Sequence, residues 1–291
     1  MLQSPHAERS PRQTSVARAL DVELLCDWPM PTRSDGDKYS RGTVLVVGGS
    51  VNTPGAVLLC GRAALRMGAG RLQIATDPAV VIPVAVALPE AMVIPYDPAP
   101  NGRLAESIRA ADAIVVGPGL DEQAAGAMVE LVVSGARPES VVILDAAALF
   151  VFSDIDEACV ERVRSTLVMT PNRQEVLALT DDPPADDLDA LAAACEHTGA
   201  VLTSFGTVYA PDGRCWQSEL NPPGLGTSGS GDVLAGLVGG AAARCGDRAQ
   251  AACWATLAHL EAGERLGTSV GTLGYLAGDL LAEIPRCLPR C

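Results

Sequence analysis

The hydrophobic positions from Thr43 onward alternate between short β-branched runs and longer stretches rich in alanine and leucine. Short apolar runs bounded by turn signals are typical of buried strands, and the longer stretches are typical of helices. Strands that alternate with helices predict a parallel sheet covered by helices on both faces. The predicted strands are 43–47, 72–76, 92–95, 113–116, 141–144, 166–169 and 201–204.

The remaining elements complete one αβα domain over residues 37–291, preceded by a tail and short helix in residues 1–36. Residues 1–15 are predicted to be a frayed tail, and Pro29, Pro31 and Gly36 mark a linker. Residues 207–210 and 215–218 predict two strands of a small antiparallel section. For residues 78–88 the sequence leaves both a helix and a loop as alternatives. The predicted helices are 16–27, 55–67, 104–110, 123–133, 174–179, 188–198, 232–244, 249–266 and 271–284.

A glycine-rich turn, Gly224–Gly231, runs directly into an apolar segment, Val233–Val238, that predicts a helix. Glycines let the backbone approach a ligand closely, and the first N–H groups of a helix have no internal partner. The helix dipole adds positive potential at that end, so the turn is a candidate cradle for a phosphate. Asp232 starts the helix, where it could serve as a base or, like Ser230, as an ordinary N-cap.

Other candidate site residues follow directly after predicted strands. They are Gly48-Gly49-Ser50, Gly117-Pro118-Gly119, Asp145 and Asn172. Because the carboxyl ends of parallel strands meet at one edge of a sheet, we expect these residues to share an edge with the glycine-rich turn. A glycine turn after a strand is also a common geometric device, and Asp145 could equally cap the helix behind it.

Charge and motif spacing exclude several functions. A formal net charge of -14 disfavours a nucleic-acid partner, because such proteins need clustered Lys and Arg. Lys38 is the only lysine, so no glycine turn is completed as a Walker phosphate loop. GGSVNTPG lacks the spacing of a Rossmann turn, and no G-x-S-x-G elbow follows a strand. His6, His197 and His259 lack metal-like spacing and are interpreted as tail, surface or core residues.

The nine cysteines are scattered and contain no C-x-x-C pair, which favours reduced thiols over a disulfide framework or a zinc site. The polar first residues, MLQSPHAERSPRQTS, lack an apolar signal core. No stretch reaches the roughly 18 uninterrupted apolar residues of a membrane span. We therefore expect a cytoplasmic protein that has no membrane partner.

Five stretches of the sequence recur, in the same order and at similar spacing, in one known family. They are GTVLVVGGSVNTPGAVLLCGRAALRMGAGRLQIAT, VVGPGL, VILDAAAL, TPNRQEVLALT and NPPGLGTSGSGDVLAG. From about residue 37 to residue 284 the chain resembles the ADP-dependent NAD(P)H-hydrate dehydratases, a branch of the ribokinase-like superfamily. The resemblance implies a three-layer αβα ribokinase-like sandwich with a mostly parallel central sheet. The epimerase domain fused to some family members has no counterpart here.

The resemblance also implies a function, the repair of hydrated NADH and NADPH with ADP or ATP and Mg²⁺. A nucleotide would phosphorylate the ring hydroxyl of the hydrate, and elimination of phosphate would restore the nicotinamide. Mg²⁺ would neutralise the nucleotide phosphates, since a lone lysine cannot, and Asp145 is a candidate holder of that ion or its waters. Family members commonly form tetramers, so the resemblance implies a homo-oligomer.

Each implied site residue has a stated role. Asp232 would be the general base at the reacting hydroxyl and would contact the substrate. The other implied substrate-binding residues are Ala56, Gly117, Gly119 and Asn172. The implied nucleotide-binding residues are Thr203, Ser204, Phe205, Gly206, Thr207, Gly229, Ser230 and Gly231, the last three forming an anion hole.

Two positions depart from the family pattern. The family has threonine-proline-histidine-proline-glycine-glutamate where this chain has TPNRQE, so Asn172 replaces a histidine. Asparagine still donates and accepts hydrogen bonds, but it cannot carry a proton charge. The family has lysine-glycine where this chain has Thr203-Ser204, which removes a positive charge from the nucleotide side. Arg173 is a candidate replacement for that charge.

These departures keep two alternatives to the dehydratase open. One is a kinase of a small hydroxylated metabolite on the same fold, which would release a phosphorylated product. The other is a homologue that binds nucleotide and regulates without catalysis.

Overall fold

The computed structural model describes residues 17–31, 37–97, 102–180 and 183–289. Its strands are Arg18–Ala19 (β1), Thr43–Val47 (β2), Arg71–Thr76 (β3), Ala91–Pro95 (β4), Ala113–Val116 (β5), Val141–Leu144 (β6), Leu167–Met169 (β7), Val201–Ser204 (β8), Thr207–Tyr209 (β9) and Cys215–Gln217 (β10). They form one ten-stranded sheet in the order β1-β10-β9-β8-β7-β6-β5-β2-β3-β4. Only β9 pairs antiparallel, with β8 and β10, and the other pairings are parallel.

Helices cover both faces of this sheet. They are Val22–Asp27 (α1), Pro54–Arg66 (α2), Val81–Ala87 (α3), Arg103–Ala110 (α4), Glu122–Gly135 (α5), Ala147–Phe150 (α6), Glu157–Val163 (α7), Arg173–Ala178 (α8), Asp187–Thr198 (α9), Ser230–Cys245 (α10), Arg248–Ser269 (α11) and Ala277–Cys287 (α12). Short 3₁₀ turns lie at Pro78–Val80, Phe152–Asp154, Arg164–Thr166 and Pro223–Leu225.

The central strands are buried on both faces, which explains their continuous apolar sequences. Every residue of β2, β5 and β6 is buried. Along β2, Val44 and Val46 belong to one hydrophobic cluster, whereas Leu45 and Val47 belong to a second cluster on the other face. Successive side chains of a strand point to opposite faces, so the two clusters are the two interfaces of a three-layer sandwich. The predicted αβα architecture and mostly parallel sheet are confirmed.

Close packing between α2 and α10 fixes the start of α10 beside the sheet. A Cβ at Gly236 would lie 2.1 Å from the carbonyl oxygen of Cys60. A Cβ at Gly240 would lie 2.4 Å from the carbonyl oxygen of Ala64. Only glycine permits this approach of two helix backbones. The small residues that the sequence shows in this segment therefore position the glycine-rich turn ahead of it.

Three regions differ from the sequence predictions. The helix predicted over 16–27 begins only at Val22, where the side chain of Asp21 accepts a hydrogen bond from Leu24 N–H at 2.9 Å. Residues 18–19 before it form β1 and pair with β10. Residues 147–163 contain two short helices, α6 and α7, that were not predicted. The last helix begins at Ala277 rather than at Gly271, which has a φ of 153°.

For residues 78–88 the sequence left helix and loop as alternatives. In the structure these residues form a 3₁₀ turn followed by α3. The predicted tail 1–15 and residues 32–36 and 181–182 lie outside the described residues. The prediction of reduced thiols is wrong for Cys26, which is disulfide-bonded. The seven cysteines at 60, 159, 195, 215, 245, 253 and 287 are free thiols. Across the described ranges, the helices are all too short or too polar to cross a membrane.

Candidate functional site

A cavity of about 470 Å³ opens at the carboxyl ends of β7 and β8, between these strands and helices α10 and α11. This is the edge at which parallel sheets place ligands. Its lining includes six residues that the sequence predicted for the site, namely Asn172, Thr203, Ser204, Phe205, Gly206 and Gly231. The structure thus brings together residues that are up to 59 positions apart in the chain (231 minus 172).

The backbone N–H groups at the amino terminus of α10 are not capped by any side chain. Gly229 is the N-cap, in a left-handed conformation with a φ of 88°, and no side chain caps the helix. The N–H groups of Gly231 and Asp232 have no partner among the described residues. A Cβ built on Gly231 meets no atom within 4 Å, so space adjoins these donors. The alternative in which Ser230 or Asp232 is an ordinary N-cap is therefore wrong.

Two carboxylates with raised pKa values stand at this edge. Burial raises the pKa of Asp232 to about 6. Burial also raises the pKa of Asp145 to about 7, against the effect of the Thr170 hydroxyl, which donates to Asp145 Oδ1 at 2.7 Å. The negative charge of Asp232 adds to the rise at Asp145. Carboxyl groups whose pKa values are raised by burial are typical of a functional site.

Asn172 caps helix α8 as well as lining the cavity. Its Oδ1 accepts hydrogen bonds from the N–H groups of Gln174 at 2.9 Å and Glu175 at 3.1 Å. Glu175 Oε2 accepts from the N–H of Asn172 at 2.7 Å, which completes a capping box. The amide group of Asn172 therefore has its NH₂ left to offer a ligand.

Arg173 does not supply the charge that the missing lysine removes. Its guanidinium forms an ion pair with Asp187 at 3.0 Å, and its side chain is 64% exposed. It is also absent from the residues that line the cavity. The cavity lining contains no lysine or arginine within the described part of the chain.

Helix α11 lines the cavity and forms hydrogen bonds with both strand β8 and helix α10. Thr256 Oγ1 is 2.6 Å from Thr203 Oγ1 of β8, and His259 Nε2 is 3.0 Å from Ser230 Oγ of α10. All four side chains are buried. Burial lowers the pKa of His259 to about 4, so this imidazole is neutral at pH 7. The sequence interpretation of a core histidine is correct, but its contact with the cradle was missed because α11 carries no motif.

The predicted dinucleotide residues form a separate group, with Ala56 in α2 and Gly117 and Gly119 after the carboxyl end of β5. A Cβ on Gly117 would lie 1.7 Å from the carbonyl oxygen of Asp145. A Cβ on Gly119 would lie 2.7 Å from Ala56 Cβ, and Thr53 Oγ1 donates to Gly119 O at 2.8 Å. These residues lie outside the 470 Å³ cavity lining, as do Asp232 at the start of α10 and the predicted residues Thr207, Gly229 and Ser230.

Asp145 links this group to the cavity. Its carbonyl oxygen lies against Gly117, and its carboxylate is bonded to Thr170, which lines the cavity. The alternative role of Asp145 as a helix cap is wrong, because the N-cap of α6 is Ala146 and no side chain caps that helix.

Comparisons with known proteins agree with this architecture. The computed fold matches a ribokinase-like superfamily protein of Enterococcus faecalis with a TM-score of 0.80 at 24% identity, over 96% of this chain and 97% of that chain. It also matches an ADP/ATP-dependent NAD(P)H-hydrate dehydratase of Bacillus subtilis, co-crystallised with ATP and Mg²⁺, with a TM-score of 0.77 at 24% identity, over 93% and 97% of the two chains.

Sequence relatives are more specific. The chain is 39% identical to an ADP-dependent (S)-NAD(P)H-hydrate dehydratase of Xanthomonas campestris, over 94% of this chain and 96% of the relative. It is 31% identical to a bifunctional NAD(P)H-hydrate repair enzyme of Escherichia coli, over 94% of this chain and 53% of the relative. A family model described as NAD(P)H-hydrate dehydratase matches residues 44–286. The resemblance drawn from the sequence motifs is confirmed, and the chain belongs to the NAD(P)H-hydrate dehydratase family.

Proposed function

We propose that this protein dehydrates hydrated NADH and NADPH with ADP or ATP, as a cofactor-repair enzyme. The observation that carries the proposal is the uncapped amino terminus of α10, with a part-buried aspartate in its first turn. The activity of the Xanthomonas relative, which matches nearly the whole chain, supports the same reaction. The structural match to a dehydratase co-crystallised with ATP and Mg²⁺ is consistent with the same nucleotide and ion.

The residues present fit a nucleotide phosphate. The two unpartnered N–H groups and the space beside Gly231 provide donors and room for an anion. Magnesium typically takes one or two protein carboxylates and completes its shell with phosphate and water oxygens. Asp145 offers one such carboxylate, and the described residues contain no cluster of three or more ligands that would hold a metal alone. When bound, the nucleotide would supply the phosphoryl group that turns the hydroxyl of the hydrate into a leaving group, and Mg²⁺ would neutralise the charge of its phosphates.

The chain's own residues would then perform three tasks. Asp232 would accept the proton of the ring hydroxyl, because a partly buried carboxylate with a raised pKa is a competent base near neutral pH. The N–H groups of Gly231 and Asp232 would stabilise negative charge at the start of α10. Ala56, Gly117 and Gly119 would hold the dinucleotide, and the NH₂ of Asn172 would donate to it.

One incubation tests this proposal. Purified protein is mixed with hydrated NADH, Mg²⁺ and either ADP or ATP, and the absorbance of reduced nicotinamide is followed together with free phosphate. Recovery of absorbance with stoichiometric phosphate is expected. A stable phosphorylated product without recovery would favour the kinase alternative, and nucleotide binding without turnover would favour the regulatory alternative.

The rate should depend on pH through Asp232. The base acts in its ionised form, so kcat/KM should fall as the pH drops through about 6 and level off above it. An ordinary aspartate would place this acid limb near pH 4, about two units lower. The measurement is kcat/KM from pH 4.5 to 8.5 with hydrated NADH below saturation. A profile that stays flat down to pH 5 would contradict the assignment of Asp232 as the base.

We further propose that the protein is a homo-oligomer that associates through the exposed face of α3. Ile82 and Val86 are 76% and 78% exposed and lie one turn apart, and the segment 78–88 has no charged residue. The neighbouring strand β4 is an edge of the sheet and exposes Met92. Contiguous exposed apolar surface is typical of interaction sites.

Charged side chains introduced on the exposed face of α3 should dissociate the oligomer. In light scattering, the double variant Ile82→Glu and Val86→Glu should have a smaller mass than the wild type, because charged side chains resist burial at an interface. Val270→Glu is the control, since Val270 is 62% exposed on a different element. A monomeric wild type, or an unchanged mass in the double variant, would reject this surface.

A further inference from the structure

The turn between β8 and β9 carries an unexpected residue. Ser204 pairs with Thr207, so the hairpin is closed by the two residues Phe205 and Gly206. Both are left-handed, with φ values of 51° and 71°. Two-residue hairpins with two positive φ angles prefer asparagine, aspartate or glycine at the first position. A bulky side chain there is strained, and Phe205 is one of only two non-glycine residues with positive φ in the described chain.

Packing does not explain this phenylalanine. Its side chain is 47% exposed, and it belongs to neither hydrophobic cluster of the described core. Asn-Gly would close the same hairpin without the strain. Strained backbone conformations occur mainly where function requires a particular side chain in a particular place. The half-exposed ring is therefore free to contact a bound ligand.

Phe205 lies at the apolar end of the cavity. The lining there includes Pro222, Leu225 and Leu260, and a Cβ on Gly206 would lie 3.4 Å from Leu260 Cδ1. Gly231, at the start of α10, lines the same cavity and offers polar donors. One cavity thus combines an anion-binding part with an apolar part that has an exposed aromatic ring.

The side chains of β8 that line the cavity offer a nucleotide no charge, and their hydroxyl groups are already hydrogen-bonded within the protein. Thr203 stands where the family pattern has lysine, and its hydroxyl is bonded to Thr256 at 2.6 Å. Ser204 Oγ donates to the carbonyl oxygen of Pro171 at 2.7 Å. Both hydroxyls already make a hydrogen bond, and no cation lines the cavity in the described residues, so this side of the cavity favours an uncharged part of the ligand.

We propose that Phe205 stacks on the purine base of the nucleotide whose terminal phosphate lies at the start of α10. Stacking on an aromatic ring is available to any base and does not require a charge. Contact with the base would offset part of the affinity lost with the lysine. The inference rests on the proposed function, because it assigns the base end of the same nucleotide site.

The test separates base recognition from phosphate recognition. Affinities for ADP and for inorganic pyrophosphate are measured by calorimetry, with Mg²⁺ present, for the wild type, Phe205→Asn and Phe205→Tyr. Phe205→Asn should weaken ADP binding about tenfold, a typical loss for one stacked base, and leave pyrophosphate binding unchanged. Phe205→Tyr should retain the wild-type affinity, because it keeps the aromatic face.

Thermal unfolding of the free protein provides a second readout. Phe205→Asn should raise the Tm by about 2 °C, because asparagine suits the turn. Phe150→Asn removes a comparably exposed phenylalanine, 57% against 47% for Phe205, from α6 and should change neither affinity. Equal losses for ADP and pyrophosphate, or unchanged ADP binding in Phe205→Asn, would overturn the inference while leaving the dehydratase proposal standing. A wild type that binds pyrophosphate but neither ADP nor ATP would overturn both.

Discussion

Replacing Asp232 with asparagine should lower kcat by about 10²-fold to 10⁴-fold, the usual contribution of a general base. Asparagine keeps the size of the side chain but cannot accept the proton. The folded state should tolerate the change, because no side chain caps α10 and burial already disfavours the charged form of this carboxyl. Affinity for ADP should be retained or slightly increased, since a negative charge near the phosphates is removed.

Asp279→Asn is a matched control for this variant. Asp279 also lies in the first turn of a helix, α12, but its carboxylate caps Leu276 N–H at 2.8 Å. We expect this variant to turn over at the wild-type rate. Single-turnover and steady-state rates with hydrated NADH are the measurements. Normal turnover by Asp232→Asn would mean that a different group takes the proton.

Replacing Gly231 with valine should separate folding from nucleotide binding. The space beside Gly231 would be filled by the new side chain where we place the terminal phosphate. Loss of one or two charge-assisted hydrogen bonds, at about 1.5–3 kcal/mol each, predicts an ADP affinity lower by about 10-fold to 10⁴-fold. Stability should not fall, because the backbone of Gly231 is helical and a Cβ there meets no atom within 4 Å.

Gly267→Val provides the corresponding control. Gly267 is also a helical glycine, in α11, whose Cβ would meet no atom within 4 Å, and it does not line the cavity. Its substitution should leave ADP binding unchanged. Calorimetric titration and thermal unfolding measure both effects. An ADP affinity in Gly231→Val equal to that of the wild type would exclude this end of the cavity as the phosphate site.

The fold was largely predictable because its central strands are buried on both faces. The limits predicted for β2, β5, β6 and β8 agree with the structure at every residue. β5 and β6 are continuous apolar runs, and the Phe205-Gly206 turn marks the end of β8. Local sequence was less informative at α6, whose four residues are too few to show a helical period. It also gave no sign that β1 pairs with β10, a contact between residues almost 200 positions apart.

The site was predictable where it depends on local geometry. The glycine-rich turn and Asp232 are contiguous in sequence, and the structure places them at the start of α10 as expected. The capping role of Asn172 also had a local signal, since Asn-x-x-Glu is a capping-box pattern. The contact of His259 with Ser230 joins positions 29 residues apart through tertiary packing alone, so no sequence pattern announces it.

A crystal structure of the protein with ADP and Mg²⁺ would test the central claim most directly. We expect the terminal phosphate to accept hydrogen bonds from Gly231 and Asp232 N–H, with the Asp232 carboxylate facing the adjoining space where the hydroxyl of the hydrate would lie. ADP bound away from the start of α10, or a terminal phosphate remote from Asp232, would contradict the account.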